Sequence, residues 1–139
     1  MNLKELKQEL LKASEITKIP HSEFGIGAGG AMLFYGLRDH AADVDVAVSP
    51  EVFESLRGVH PIETFKSVLD DGIHEKVSVG LVDIHNSANT KGLLQPKHAM
   101  LDGFKVERLH SILAQKVLMN RAKDQEDIRK LNEAINKQA

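Results

Sequence analysis

The stretch that most constrains this chain runs from Phe24 to Val48. It opens with a short apolar run, Phe24–Ala28, crosses the pair Gly29-Gly30, and continues through the apolar helix formers Ala31–Tyr35. A loop, Leu37–Ala42, then leads into the alternating segment Asp43-Val44-Asp45-Val46-Ala47-Val48. Alternation of apolar and polar residues marks a strand with one buried face. Strand side chains two apart point the same way. Asp43 and Asp45 therefore project together, and Val44, Val46 and Val48 face the opposite side. The stretch reads as strand, glycine turn, short helix, loop and strand, the succession of an α/β protein.

Two adjacent carboxylates repel and raise each other's pKa unless a cation sits between them. Oxygen-only ligands on a rigid strand suit Mg²⁺, which binds through one or two carboxylates together with substrate phosphates. A solvated acidic edge fits the same pattern, and the glycine pair upstream adds weight to the metal. Glycine between a strand and a helix lets bare backbone approach a ligand, and the first N–H groups of a helix lack internal partners. Such a corner suits phosphate, although a tight turn without a ligand needs the same residues. The spacing Gly25-x-Gly27-x-x-Gly30 matches a dinucleotide fingerprint. No acidic strand end follows at the required distance, and there is no Gly-Lys-Ser/Thr, so neither that motif nor a P-loop is present.

Gly29-Gly30, a short helix, Arg38 and Asp43-x-Asp45 together resemble the nucleotidyltransferase superfamily with the DNA polymerase beta-like fold. The resemblance is to its minimal, lincosamide and aminoglycoside nucleotidyltransferases. It implies a small α/β (α+β) domain over residues 1–139: a mixed twisted sheet, helices mainly on one face, and a C-terminal helix pair. It also implies that a third carboxylate comes from a strand beside the Asp-x-Asp. Asp83, in Leu81-Val82-Asp83-Ile84-His85, fits that position, with Glu75 as the fallback. A lone acid in an apolar strand is costly if buried and unpaired, which agrees with a functional or paired role. Arg38 lies where the family often has a phosphate- or loop-supporting arginine. A surface arginine is the plain alternative.

The remainder of the chain supplies structure and one more cation. Residues 2–16 predict an amphipathic helix with Asn2 and Glu5 as a capping box. Ser49-Pro50 opens another. Residues Glu63–Leu69 and Ile73–Val79 predict a hairpin across Asp70-Asp71-Gly72, and Asn86–His98 reads as a loop. Ala99–Val106 reads as an extended element turning at Asp102-Gly103. Tyr35 reads as a core or rim aromatic and His40 as a loop residue. A helix from Glu107 to Asn120 carries Leu109, Ile112, Leu113 and Val117 as its apolar stripe, with Lys116 on that stripe. A lysine there must snorkel, pair with an acid or meet a ligand. A last helix follows Arg121-Ala-Lys123-Asp124-x-x-Asp127. The resemblance implies that Lys116 reaches nucleotide phosphates while Arg121, Lys123, Asp124 and Asp127 brace the two helices. An internal salt bridge from Lys116 to Asp124 or Asp127 is the alternative, and the two are compatible.

Charge is uneven along the chain. Residues 1–102 hold 10 Lys+Arg and 15 Asp+Glu, a net of −5, while residues 103–139 hold 8 and 5, a net of +3. That split suits carboxylates holding metal opposite cations holding phosphate, and it does not make a surface for long nucleic acids. Zero cysteines exclude disulfides and thiolate metal sites. No apolar run spans a bilayer and no signal-peptide core is present, so a cytoplasmic location is expected. The expected reaction is transfer of an NMP from an NTP to a hydroxyl acceptor with release of pyrophosphate. Asp43, Asp45 and Asp83 would act as catalytic and metal-holding residues with Mg²⁺ or Mn²⁺. Gly29, Gly30, Arg38 and Lys116 would hold the nucleotide. The acceptor, a small molecule, a protein or a tRNA end, is left open, as is completion of its site by a homodimer or a partner protein. The competing expectation is a non-catalytic, antitoxin-like binding module of the same fold.

Overall fold

The computed structural model describes residues 1–66, 72–89 and 96–138. Helix α1 spans Leu3–Thr17. Its capping box forms as expected: Glu5 N–H donates to the Asn2 side chain at 2.9 Å, and Asn2 N–H donates to the Glu5 carboxylate at 3.1 Å. Leu6, Leu10 and Ala13 are its buried stripe. Strand β1 (Gly25–Ile26), helix α2 (Ala28–Phe34), strand β2 (Val44–Val48) and helix α3 (Pro50–Glu54) follow. Then come β3 (Glu63–Lys66), β4 (Ile73–Val79), β5 (Val82–Asn86), β6 (His98–Leu101) and β7 (Phe104–Glu107). Helices α4 (Leu109–Met119) and α5 (Gln125–Gln138) close the described chain.

The strands form one mixed sheet in the order β3-β4-β5-β2-β1-β7-β6. The pairs β2–β5 and β1–β7 are parallel and the others antiparallel. Alternation decides its two faces. Ile26, Val44, Val46, Val77, Val82, Ile84 and Val106 are at most 1% exposed and share one core with α1 and α2. Each such side chain stabilises the fold by about 1.5–3 kcal/mol. The intervening positions, among them Gly25, Asp45, Ala47, Asp83, His85 and Glu107, face the other side. The β6–β7 hairpin turns at Asp102-Gly103, both at positive φ (52° and 81°). This is the geometry that a tight hairpin requires and that Asp-Gly supplies cheaply.

The structure departs from the sequence reading at several places. Helix α2 starts at Ala28 rather than Ala31, with Gly27 in extended conformation as its N-cap. Gly29 and Gly30 therefore lie inside its first turn, not ahead of it. On α4, Val117 is 53% exposed while Lys116 is buried, because two carboxylates receive the lysine on the inner side. The β3–β4 hairpin pairs Lys66 with Ile73, and Asp70 and Asp71 lie outside the described residues. Strand β5 is followed by a turn of 3-10 helix at Ser87–Asn89; residues 90–95 of the expected loop are also outside them. Among the described residues no helix is long and apolar enough to cross a membrane.

Candidate functional site

A cavity of about 810 Å³ opens on the polar face of the sheet. Its floor is Gly25 of β1, Gly27 at the N-cap of α2, Asp45 and Ala47 of β2, His85 of β5 and Glu107 of β7. The start of α2 and Arg38 form one wall; Lys116, Arg121 and Lys123 form another. Phe65, Lys66 and His74 line the far end.

Asp43 lies one residue before β2 and Asp45 within it; both are exposed and both line the cavity. Asp45 Oδ1 is 2.9 Å from His85 Nε2. That hydrogen bond holds the Asp45 carboxyl below its usual range, against the opposing effect of partial desolvation by the cavity walls. An ionised carboxylate only accepts, so His85 Nε2 carries the proton and Nδ1 is the acceptor in the neutral ring.

Asp83 pairs in register with Asp45 on the same face, yet it turns away. Its Oδ1 accepts the Ser78 hydroxyl at 2.6 Å, and its Oδ2 lies 3.6 Å from Lys76 Nζ. It does not line the cavity, and His85 takes that place. Glu75, the fallback, accepts hydrogen bonds from Arg57 at 3.0 Å and Asn86 at 3.2 Å and also lies outside the cavity lining. Among the described residues no group of three or more His, Cys, Asp or Glu is arranged to hold a metal ion. The pair Asp43 and Asp45 has the oxygen-only chemistry suited to Mg²⁺ or Mn²⁺ carried on substrate phosphates.

The glycine pair divides its duties. A Cβ on Gly30 would sit 2.7 Å from Val44 Cγ2 and 3.3 Å from Ile26 Cγ2; this glycine lets α2 lie against β2. A Cβ on Gly29 would meet Arg38 Nη1 at 2.9 Å, so Arg38 rests on the bare backbone there. The first N–H of the helix, at Ala28, donates to Glu107 Oε1 at 3.1 Å. Glu107 is 1% exposed and accepts the Ser111 hydroxyl at 2.6 Å through its other oxygen. Burial raises its carboxyl, with the two hydrogen bonds opposing. The helix start is thus capped by a protein carboxylate. Tyr35 donates its hydroxyl to the Glu107 carbonyl at 2.8 Å and braces β7, as a rim aromatic does.

Lys116 is both cavity-lining and internally paired. Its Nζ lies 3.3 Å from Asp124 and 3.1 Å from Asp127. Asp127 also pairs with Arg38, and Asp124 pairs with Arg121 at 2.8 Å. The Arg121 hydrogen bond holds the Asp124 carboxyl down at about 2. His98 lines the cavity beside Glu107, its partner in the β6–β7 register. Burial, aided by Lys105, lowers its pKa to about 4.

The sequence reading passed over His85 and Glu107. His85 has the same strand parity as Asp83, and that parity was its available signal. Glu107 carries none, because its partner Ala28 is 79 positions away.

No family model matches the chain, and no curated protein matches it. Solved structures do. A crystal structure of ANT(2")-Ia in complex with adenylyl-2"-tobramycin superposes with a TM-score of 0.54 at 16% identity, covering 94% of this chain and 88% of that one. The Megavirus polyadenylate synthase gives 0.52 at 15% identity, covering 96% of this chain and 34% of that one. At these identities the likeness is one of fold alone: this chain has the fold that it shares with those two structures.

Proposed function

We propose that this chain transfers an NMP from an NTP to a hydroxyl acceptor and releases pyrophosphate. One observation carries the reading: Asp43 and Asp45 line one cavity together with Arg38, Lys116, Arg121 and Lys123. A triphosphate needs both features, cations along its oxygens and paired carboxylates for the ion that travels with it. Asp43 and Asp45 would hold Mg²⁺ or Mn²⁺, which when bound supplies neutralisation of the charge at the reacting phosphate.

In the proposed reaction the acceptor oxygen attacks the α-phosphorus, the bond from that phosphorus to the bridging oxygen breaks, and pyrophosphate leaves with the electron pair. The cationic wall orients the β- and γ-phosphates and stabilises the leaving charge. The acceptor's proton needs a base. His85 is the candidate that the geometry favours over Asp83: it lines the cavity, Asp45 fixes its ring, and Nδ1 carries the lone pair. Asp83 is engaged by Ser78 and Lys76.

The acceptor belongs to the same proposal in coarser form, as a hydroxyl compound small enough for this cavity or a protein side chain presented to it. Completion of the site by a second copy or a partner protein remains part of that proposal. The test is thermal stability of the purified protein with each of the four NTPs, with Mg²⁺ and with chelator, beside pyrophosphate release. A ligand at a hundred times its Kd stabilises by about 2.7 kcal/mol. The expected result is a metal-dependent shift with at least one NTP, absent in Asp43→Asn/Asp45→Asn. No shift with any NTP would replace this reading with the non-catalytic binding module.

A further inference from the structure

Arg38 and Lys116 reach the cavity from distant parts of the chain. Arg38 lies on the segment joining α2 to β2, and Lys116 on the last turns of α4. A single carboxylate joins them: Asp127, in the first turn of α5, pairs with Arg38 Nη2 and stands 3.1 Å from Lys116 Nζ. The Asp127 and Lys116 side chains are each 8% exposed. Lys116 has a second partner in Asp124 at 3.3 Å. Among the described residues, Asp127 is the only carboxylate paired with Arg38.

The cluster Arg38, Lys116, Arg121, Asp124 and Asp127 carries three positive and two negative formal charges, a net of +1. Buried ion pairs seldom stabilise a fold more than apolar residues of the same volume. What such a pair does well is fix direction. Arginine and lysine otherwise sample many rotamers, and ordering each costs conformational entropy. A cation already aimed loses less on meeting a phosphate.

We infer that Asp127 is a positioning residue that aims Arg38 and Lys116 together at the nucleotide triphosphate. Through it the α2–β2 segment and the C-terminal helices act as one phosphate clamp. This rests on the nucleotidyltransferase reading. The two cations are not equally dependent on it: Lys116 keeps Asp124 when Asp127 is lost, whereas Arg38 keeps no carboxylate. Loss of Asp127 should therefore act chiefly through Arg38.

Calorimetric binding of the α,β-methylene analogues of the four NTPs, in Mg²⁺, tests this. For the nucleotide that wild type binds, Asp127→Asn should raise Kd by about tenfold, the effect of losing one charge-assisted hydrogen bond. Arg38→Ala should raise it similarly, and the double variant should be no worse than Arg38→Ala alone. Asp127→Glu should recover part of the affinity. Leu131→Ala, on the same helix and fully buried, should lower Tm and leave Kd unchanged, which separates positioning from loss of fold. The inference is overturned by a wild-type Kd in Asp127→Asn, by additive Asp127 and Arg38 effects, or by an equal Kd increase in Leu131→Ala. A wild-type protein that binds none of the four analogues overturns the nucleotidyltransferase reading as well, so the two failures are distinct.

Discussion

Gly30→Ala isolates the packing of α2 on β2. The added Cβ would lie 2.7 Å from Val44 Cγ2, 3.3 Å from Ile26 Cγ2 and 3.4 Å from Leu6 Cδ1. All three neighbours are fully buried. Val44 cannot drift away, because its strand is paired on both sides, with β1 and β5. Overpacking of a close-packed core costs about 1–3 kcal/mol. Alanine's better helix propensity returns roughly 0.5–1 kcal/mol. The net expectation is a loss of about 1–2 kcal/mol, which at this chain length lowers Tm by roughly 3–10 °C. Calorimetry with a reversibility check measures it directly. Gly29→Ala is the control, since its Cβ meets only the flexible end of Arg38; its Tm should stay near wild type while nucleotide affinity falls. A Gly30→Ala protein as stable as wild type would refute the close approach and return the residue to the role of a phosphate-binding turn.

His85→Ala should reduce the rate of nucleotide transfer by about a hundredfold or more, the usual weight of a general base, and Asp83→Asn by less than tenfold; the reverse order would restore Asp83 as the base. His98 gives a pH dependence with a definite sign. Unfolded, it takes a proton near pH 6.5, and folded only near 4, so stability should fall as pH drops from 6.5 toward 4. Plots of Tm against pH should flatten across that window in His98→Gln, and an unchanged slope would refute the assignment. Asp124 has the same sign in a more acidic window, with its carboxyl held at about 2 against an ordinary value of 3.8. Its contribution is complete above pH 3.8 and disappears as pH falls toward 2. The Tm gap between wild type and Asp124→Asn should narrow over that interval, and a constant gap would count against the pairing with Arg121.

Legibility followed the range of the interactions involved. The capping box of α1 and the alternation Asp43 to Val48 are set by residues within a few positions of one another, and both could be read directly. Lys116 was conspicuous because a lysine falls on an apolar stripe, and its candidate acids stood 8 and 11 positions later. Gly30 was misplaced because its constraint is Val44 Cγ2, 14 positions away, while a local reading of Gly-Gly is a turn. Asp83 and His85 share one parity, so no pattern within β5 could choose between them. The choice is made by β4: the tight connection after Val79 lays Ser78 and Lys76 beside Asp83, which leaves His85 for the cavity.

The division of charge along the chain points to the same conclusion from another direction. An acidic front and a basic tail suggest carboxylates gathered with cations, and Asp43 and Asp45 do line one cavity with Lys116, Arg121 and Lys123. The exceptions are the more informative. Arg38 comes from the acidic portion and joins the cationic wall, while Asp124 and Asp127 come from the basic portion and restrain it. A wall built only to attract phosphate would omit those two acids, since each cancels a positive charge. Retaining them gives up part of the net attraction and fixes where Arg38, Lys116 and Arg121 stand. Under the proposed reaction, in which one phosphate would be held in line with an incoming hydroxyl, fixed direction is worth more than added charge, because a misplacement of about 1 Å can cost a hundredfold in rate.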